Sequence, residues 1–193
     1  MHRLLLNFPN ALETPRLILR SYHAGDGSWY YAMSLKNRPH LQQFERENPV
    51  NTIETKEQAE IVVRDFAAAW VGRQCFFLGA FDKATLEFVA QVYVGPVNWG
   101  LPEFEIGYFA DFDHEGRGYV TEAIKAVVKF LFEYLGAWRI RLECDDGNIR
   151  CAAVARRCGF IEEAHFRQNK KNPDGSFSGT LCFGLLKGDL VDV

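Results

Sequence analysis

The sequence predicts one α/β (α+β) domain, a mixed, mostly antiparallel sheet of about seven strands flanked by about four helices. Three observations carry this. A chain of 193 residues has room for about one domain at ~100–200 residues each. Strand-like and helix-like apolar patterns follow one another along it in the order strand, two helices, three strands, helix, strand, helix, two strands. No repeat, low-complexity tract or domain-separating linker interrupts that order. The domain is therefore expected to span 1–193, with its core at about 14–187.

The first strand is expected over Arg16-Leu17-Ile18-Leu19-Arg20, behind Pro15. Gly25-Asp26-Gly27 breaks the chain before a short helix from Ser28 to Leu35, with Ser28 as its cap. Asn37 to Val50 has mixed polarity and two prolines, so it reads as a loop with one helical turn at most, and as a segment for substrate contact. Thr55-Lys56-Glu57-Gln58 has the spacing of a capping box, and Ala59, Val62, Val63, Phe66, Ala67 and Trp70 continue at helical period to about Gly72. Cys75–Phe81 and Phe88–Val94 flank the turn-like Asp82-Lys83-Ala84-Thr85 as an antiparallel hairpin. A third strand follows across Asn98-Trp99-Gly100-Leu101-Pro102, with Phe104 to Phe109 as its body. The next helix, about Gly118 to Leu135, aligns Val120, Ala123, Ile124, Val127, Leu131 and Leu135 on one stripe. Trp138 to Cys144 alternates like a half-exposed strand. A short helix from Asn148 to Cys158 ends at Gly159. Phe160–Arg167 and Gly179–Leu186 close the chain as two strands joined across Asn172-Pro173-Asp174-Gly175.

Composition narrows the function classes. Hydrophobic residues make up 48% and charged residues 24% of the chain, as in ordinary soluble globular proteins. A chain this long buries roughly 70% of its unfolded surface, so its core needs neither disulfides nor a structural metal. Its 22 basic and 25 acidic residues leave a net charge of −3, which argues against nonspecific binding to nucleic acid or an anionic membrane. Cys75, Cys144, Cys151, Cys158 and Cys182 form no close pair and read as reduced thiols. His2, His23, His40, His114 and His165 lack metal-ligand spacing, so no metal is expected. Leu4-Leu5-Leu6 is too short for a secretory core, and no apolar run approaches the ~20 residues that span a bilayer. A cytoplasmic protein is the expectation.

The chemistry concentrates between Glu105 and Ala123. A strand runs into a loop with two glycines one residue apart, Gly116-Arg117-Gly118, and the loop opens directly into an amphipathic helix. Amides at a helix N-terminus, approached closely because glycine lacks a side chain, favour a phosphate or pyrophosphate. A dinucleotide fingerprint would need a glycine where Thr121 stands, and the Gly-Lys-Ser/Thr of a Walker loop is absent. Arg117 supplies a cation beside the loop or sits solvated on the surface. His114 borders the same loop, exposed in a turn or touching phosphate.

This strand, the Gly-x-Gly loop, Tyr119, Thr121-Glu122-Ala123 and the long helix resemble the acetyl-CoA-binding core of the GNAT N-acetyltransferases. Glu13-Thr14-Pro15-Arg16-Leu17-Ile18-Leu19-Arg20, the Asn148 to Gly159-Phe160 segment and the closing hairpin sharpen the resemblance to the RimJ/RimL-like branch, which includes ribosomal-protein N-terminal acetyltransferases. The resemblance spans nearly the whole chain and is weakest between Asn37 and Thr55. It implies a GNAT fold whose central strand splays from its neighbour, so that Tyr108, Phe109 and Ala110 offer backbone groups to the pantetheine and acetyl carbonyl of acetyl-CoA. It places the pyrophosphate on the amides of Glu115, Gly116, Arg117, Gly118 and Tyr119. Asn148 falls where the family holds pantetheine; the same side chain also suits helix capping.

Acetyl transfer to an amine needs a neutral amine, stabilisation of the oxyanion and a proton for the departing thiolate. An α-amine, with a pKa near 7.7–8.0, meets the first demand more easily than lysine at about 10.4. Related enzymes commonly draw a carboxylate base from the central strand. Glu105 is then the first candidate and Glu103 the second, on one face at i and i+2; both also read as acids that solubilise an edge. The family's tyrosine acid is replaced by Ala155 and the branch's serine by Cys151. Cys151 is either the proton donor or an inert buried thiol. Tyr22, Trp29, Tyr30 and Tyr31 either wall an acceptor cleft or pack a core. The resemblance implies an acetyl-CoA-dependent N-acetyltransferase acting directly on a primary amine, a protein N-terminus first. A small-molecule amine acceptor and a non-catalytic CoA-binding module are the alternatives, and the chain is expected as a monomer or homodimer.

Overall fold

A computed structural model describes residues 2–46 and 48–189. The strands are β1 (Ala11–Glu13), β2 (Leu17–Ser21), β3 (Phe76–Asp82), β4 (Phe88–Asn98), β5 (Glu103–Ala110), β6 (Arg139–Asp145), β7 (Ile161–Lys171) and β8 (Phe177–Leu186). The helices are α1 (Gly27–Leu41), α2 (Lys56–Val71), α3 (Tyr119–Glu133) and α4 (Ile149–Arg157). The strands form a single sheet in the order β1-β2-β3-β4-β5-β6-β8-β7. Among the described residues, every neighbouring pair is antiparallel except β5–β6.

The eighth strand, β1, is the one that the apolar pattern misses. Its three residues pair with β2 from Ala11↔Arg20 to Glu13↔Ile18, and three residues are too few to display an alternation. The other strands lie within a few residues of expectation, and the Thr55/Gln58 capping box is formed in both directions.

Strand alternation divides the side chains between two cores. On β3, Phe76, Leu78 and Ala80 join α3 and α4 on one face of the sheet. On the other face Phe77 stacks on Phe66 of α2 at 3.7 Å between ring centres, and Trp29 of α1 packs against Phe81 and Phe88. Tyr22 and Tyr30 are fully enclosed there, both donating a hydrogen bond to Gln91 Oε1, at 2.6 and 3.0 Å. The aromatic cluster near the first helix is thus core, and its hydroxyls reach the interior of the sheet face through one glutamine.

Helix α1 departs most from expectation. It begins at Gly27 and runs through Pro39 to Leu41, where a short helix ending at Leu35 is expected. Ser28 is not its cap: Asp26 stands at the cap position but spends its carboxylate on Arg20, Trp29 and the His23 amide. The orphan amides of Gly25 and Gly27 are satisfied instead by Glu60 of α2. Pro39 lies in the last turn, where its missing N–H removes one hydrogen bond rather than breaking a long ladder. Of the buried residues that follow Met33 in this helix, Ser34 and Asn37 are polar and Leu41 alone is apolar. Asn37 donates to Asp111 Oδ2 at 2.9 Å and accepts from the Phe112 amide at 2.8 Å, so an apolar periodicity cannot reveal the turn.

Asp111, at the end of β5, is 1% exposed and gathers Lys36 Nζ at 2.7 Å, Asn37 and His114 Nδ1 at 3.0 Å. Burial raises its proton affinity, but the bonds from Asn37, Lys36 and His114 outweigh it and hold the carboxyl below its ordinary value. His114 is accordingly turned inward, contrary to its expected exposure. Because the folded pKa is depressed, this contribution to stability is complete above the ordinary carboxylate pKa and disappears as pH falls through the folded value. Asp111→Ala is expected to lower unfolding free energy at pH 7 by on the order of 2 kcal/mol, since it leaves the buried Asn37 amide group without its acceptor. Urea denaturation checks this, and a loss below about 1 kcal/mol would contradict it.

Candidate active site

The site begins where two strands part. β5 and β6 pair in parallel over only three positions, Glu103↔Arg139, Phe104↔Ile140 and Glu105↔Arg141. Beyond Glu105, β5 keeps its pairing with β4 through Ala110↔Ala90, while β6 keeps its pairing with β8 through Asp145↔Thr180. The side of β5 facing β6 therefore presents unpaired backbone groups over residues 106–110, which include Tyr108, Phe109 and Ala110. Such groups demand partners.

At the end of that strand, Gly116 and Gly118 hold φ of +72° and +79°, a left-handed conformation that suits glycine. Gly118 is the N-cap of α3, whose first-turn amides point out of the helix. The loop is pinned by residues distant in sequence. Arg16 donates to the Arg117 carbonyl at 3.0 Å and to Glu122 Oε2 at 2.6 Å, and its guanidinium lies 4.6 Å over the Tyr119 ring. Glu122 also accepts from Thr14 Oγ1 at 2.6 Å and from the Arg16 amide at 2.9 Å. Tyr119 donates to Asp82 Oδ2 at 2.6 Å, and the Glu115 carboxylate bridges His40 and Arg150. Arg16, Arg117, Arg150 and Arg157 thus surround the N-terminal end of α3, an electropositive rim for an anion. Of these only Arg117 follows from the motif alone. Arg16 and Glu122 belong to the opening-strand and Thr121-Glu122-Ala123 motifs, whose spacing does not disclose that they meet.

Across the gap lies α4. Asn148 caps it, its Oδ1 accepting from the Cys151 amide at 3.1 Å, so the capping role is real and its Nδ2 group points elsewhere. Tyr108 Oη donates to the Cys151 carbonyl at 3.1 Å and lies 3.2 Å from Cys151 Sγ. Hydrogen bonds from the Cys144 thiol and from Tyr108 lower the proton affinity of Cys151 against burial and the nearby Glu45 charge, which raise it. Burial pushes the Tyr108 hydroxyl well above its ordinary value, so it stays protonated. Ala155 is fully buried and packs the core.

On the α1/α2 face the gap adjoins a cavity of about 310 Å³, lined by Glu45, Asn48, Phe77, Gln91 and Tyr93 together with Gly107, Tyr108 and Phe109 of β5. Glu103 and Glu105 are not among its lining residues. Glu105 Oε2 receives Arg141 Nε at 3.0 Å and Nη2 at 2.5 Å, and Glu103 receives Arg139 Nε at 3.2 Å. Both candidate bases are therefore engaged by arginines at the first and last of the three paired positions of β5–β6. The carboxylate at the cavity is Glu45. It lies in the segment expected to contact substrate, and its own sequence context carries no motif. Among the described residues, no three His, Cys, Asp or Glu side chains are placed to hold a metal ion, and no helix is long and apolar enough to cross a membrane.

Residues 16–161 match the family described as the acetyltransferase (GNAT) domain. The chain is 24% identical over 163 residues to the probable N-acetyltransferase YjcK of Bacillus subtilis, covering 83% of this chain and 88% of that one. Among solved structures it is similar to a RimL ribosomal alpha-N-protein acetyltransferase in complex with coenzyme A, with TM-score 0.81, 18% identity and coverage of 91% and 97%. It is equally similar to the microcin C7 self-immunity acetyltransferase MccE in complex with acetyl-CoA and AMP, with TM-score 0.81, 16% identity and coverage of 93% and 97%. These likenesses show the fold.

If Arg16 fastens the glycine loop, Arg16→Ala should expose the chain at Arg117 to trypsin, accelerating cleavage there severalfold while the fold persists. An unchanged cleavage rate would contradict the anchoring.

Proposed function

We propose, on the premise that the chain belongs to the GNAT acetyltransferase family, that it transfers an acetyl group from acetyl-CoA directly to a primary amine, with a protein N-terminal α-amine as the favoured acceptor. The observation that carries this reading is the parting of β5 from β6 after Glu105↔Arg141, with an anion-binding loop at one end of the gap and a cavity beside it.

The residues present fit the co-substrate. The unpaired stretch with Tyr108, Phe109 and Ala110 suits an extended pantetheine arm, which binds by adding itself to the strand. The amides of Glu115, Gly116, Arg117, Gly118 and Tyr119, with the surrounding arginines, suit its pyrophosphate. Asn148 retains an amide group for pantetheine while capping α4. Cys151, its proton affinity lowered by its neighbours, is the donor we assign to the departing thiolate. Glu103 and Glu105, ion-paired to Arg139 and Arg141, mark the base of the gap.

A terminal α-amine is appreciably neutral near pH 7, and the RimL likeness agrees with such an acceptor. The cavity of about 310 Å³ equally admits a small amine, and the MccE likeness favours that second reading. We read the protein as cytoplasmic and, with β7 exposed at the edge of the sheet, as a monomer or a homodimer paired there.

Isothermal titration should show acetyl-CoA binding, and Gly118→Val should weaken it at least about tenfold, 1.4 kcal/mol, because a branched residue is strained at positive φ. No binding at millimolar ligand, or unchanged affinity in the folded variant, would refute the site. A thiol-release assay on Ala- and Ser-initiated peptides against spermidine and glycinamide assigns the acceptor class by kcat/KM.

A further inference from the structure

We infer that Glu45 is the general base that takes the proton from the acceptor ammonium. This rests on the N-acetyltransferase reading above and names the group that its cavity supplies.

An amine that attacks a thioester held along residues 106–110 must approach from a face of the sheet. The Tyr108 hydroxyl and Cys151 meet on the α4 side, whereas the cavity that Tyr108 also borders opens on the α1/α2 side. Among its described lining residues Glu45 is the carboxylate; the remaining titratable groups facing it are Tyr93 of β4 and Tyr108 of β5, with Cys151 of α4 across the gap. Asn48 and Gln91 add neutral polar groups. Arg46, next along the chain, turns its Nε to the Gln42 carbonyl.

Glu45 is also held in place. Its amide donates to the Leu41 carbonyl at 2.7 Å, and its carbonyl accepts from Asn51 Nδ2 at 2.7 Å. Asn48 Nδ2 donates to Glu45 Oε2 at 2.8 Å, which fixes the carboxyl and directs Oε1 as the second acceptor. Burial pushes this carboxyl up to about 7, opposed by the Asn48 bond. A base at that value is both ionised to a useful extent and basic enough to accept a proton at neutral pH. Glu105 is not among the residues that line the cavity, and its Oε2 is engaged by Arg141.

The acceptor ammonium gives one proton to Glu45 and becomes a neutral amine. Its nitrogen lone pair forms the C–N bond at the acetyl carbonyl carbon, and the carbonyl electrons move to oxygen. Collapse of that intermediate breaks the C–S bond. Cys151 gives its thiol proton to the departing thiolate, and the second nitrogen proton, lost as the amide forms, passes through water to restore the Cys151 thiol. Glu45 then releases its proton to water.

The test measures kcat/KM against pH with acetyl-CoA and the panel of Ala- and Ser-initiated peptides, spermidine and glycinamide, for the unaltered chain, Glu45→Gln and Glu45→Asp. Glutamine keeps the acceptor oxygen for Asn48 but takes no proton. The expected result is a limb near pH 7 shared by acceptors of different basicity. In Glu45→Gln that limb is lost and kcat falls about 10²-fold or more, and Glu45→Asp partly recovers it. Acetyl-CoA affinity by titration should stay within about twofold, which also reports that the variants fold. A retained limb in Glu45→Gln, or a raised KM with kcat unchanged, would overturn the base role while leaving the enzyme reading intact. If the unaltered chain binds acetyl-CoA yet acetylates no amine of the panel, the enzyme reading fails and the base assignment with it.

Discussion

The arrangement depends on one constraint: β5 cannot satisfy its backbone on both sides along its full length. Its parallel ladder to β6 stops after Glu105↔Arg141, and the two strands then follow different antiparallel partners. Unpaired strand groups in a protein interior are costly unless something replaces the missing neighbour. The parting therefore creates both the opening and its demand for an extended polar ligand. The ion pairs at the junction do not by themselves hold it together. With both side chains of Glu105–Arg141 38% exposed, such a pair contributes ~1 kcal/mol or less, whereas Phe104 and Ile140 at the same level are fully buried and each contributes roughly 1.5–3 kcal/mol.

Around this opening the molecule positions charge through contacts between residues distant in sequence. The glycine loop is fastened from the opening strand by Arg16, from the β3–β4 turn through Asp82 and Tyr119, and from α1 and α4 through Glu115. A net charge of −3 is thus compatible with an anion site, because amides and arginines converge locally where the rest of the surface is acidic. The two faces of the gap carry complementary proton chemistry, with Tyr108 and Cys151 on the α4 side and Glu45 on the α1/α2 side.

Much of this is legible in the sequence because it rests on local rules. The capping box at Thr55, the Gly-x-Gly loop opening α3 and the alternation of β6 each follow from spacing within a few residues, and the resemblance of ordered motifs supplies the strand divergence. What is not legible depends on tertiary partners. Glu105 reads as a strand-face acid, but only the register Glu105↔Arg141 reveals that it is paired with an arginine. Asn148 is a helix cap from its spacing, whereas the Cys144–Cys151–Tyr108 contact needs three separate elements. Helix α1 hides its last turn behind Pro39 and buried polar anchors, and that turn delivers Glu45 to the cavity. For Tyr22 and Tyr30 the sequence leaves cleft wall and core packing open, and their burial decides for the core.

The most direct measurement is amide hydrogen exchange with and without acetyl-CoA, resolved along β5 and the loop before α3. The account predicts new protection within residues 106–110 and 115–119, with little change in the already paired stretch Glu103–Glu105. Binding without added protection along 106–110 would contradict the claim that the parted strand receives the co-substrate.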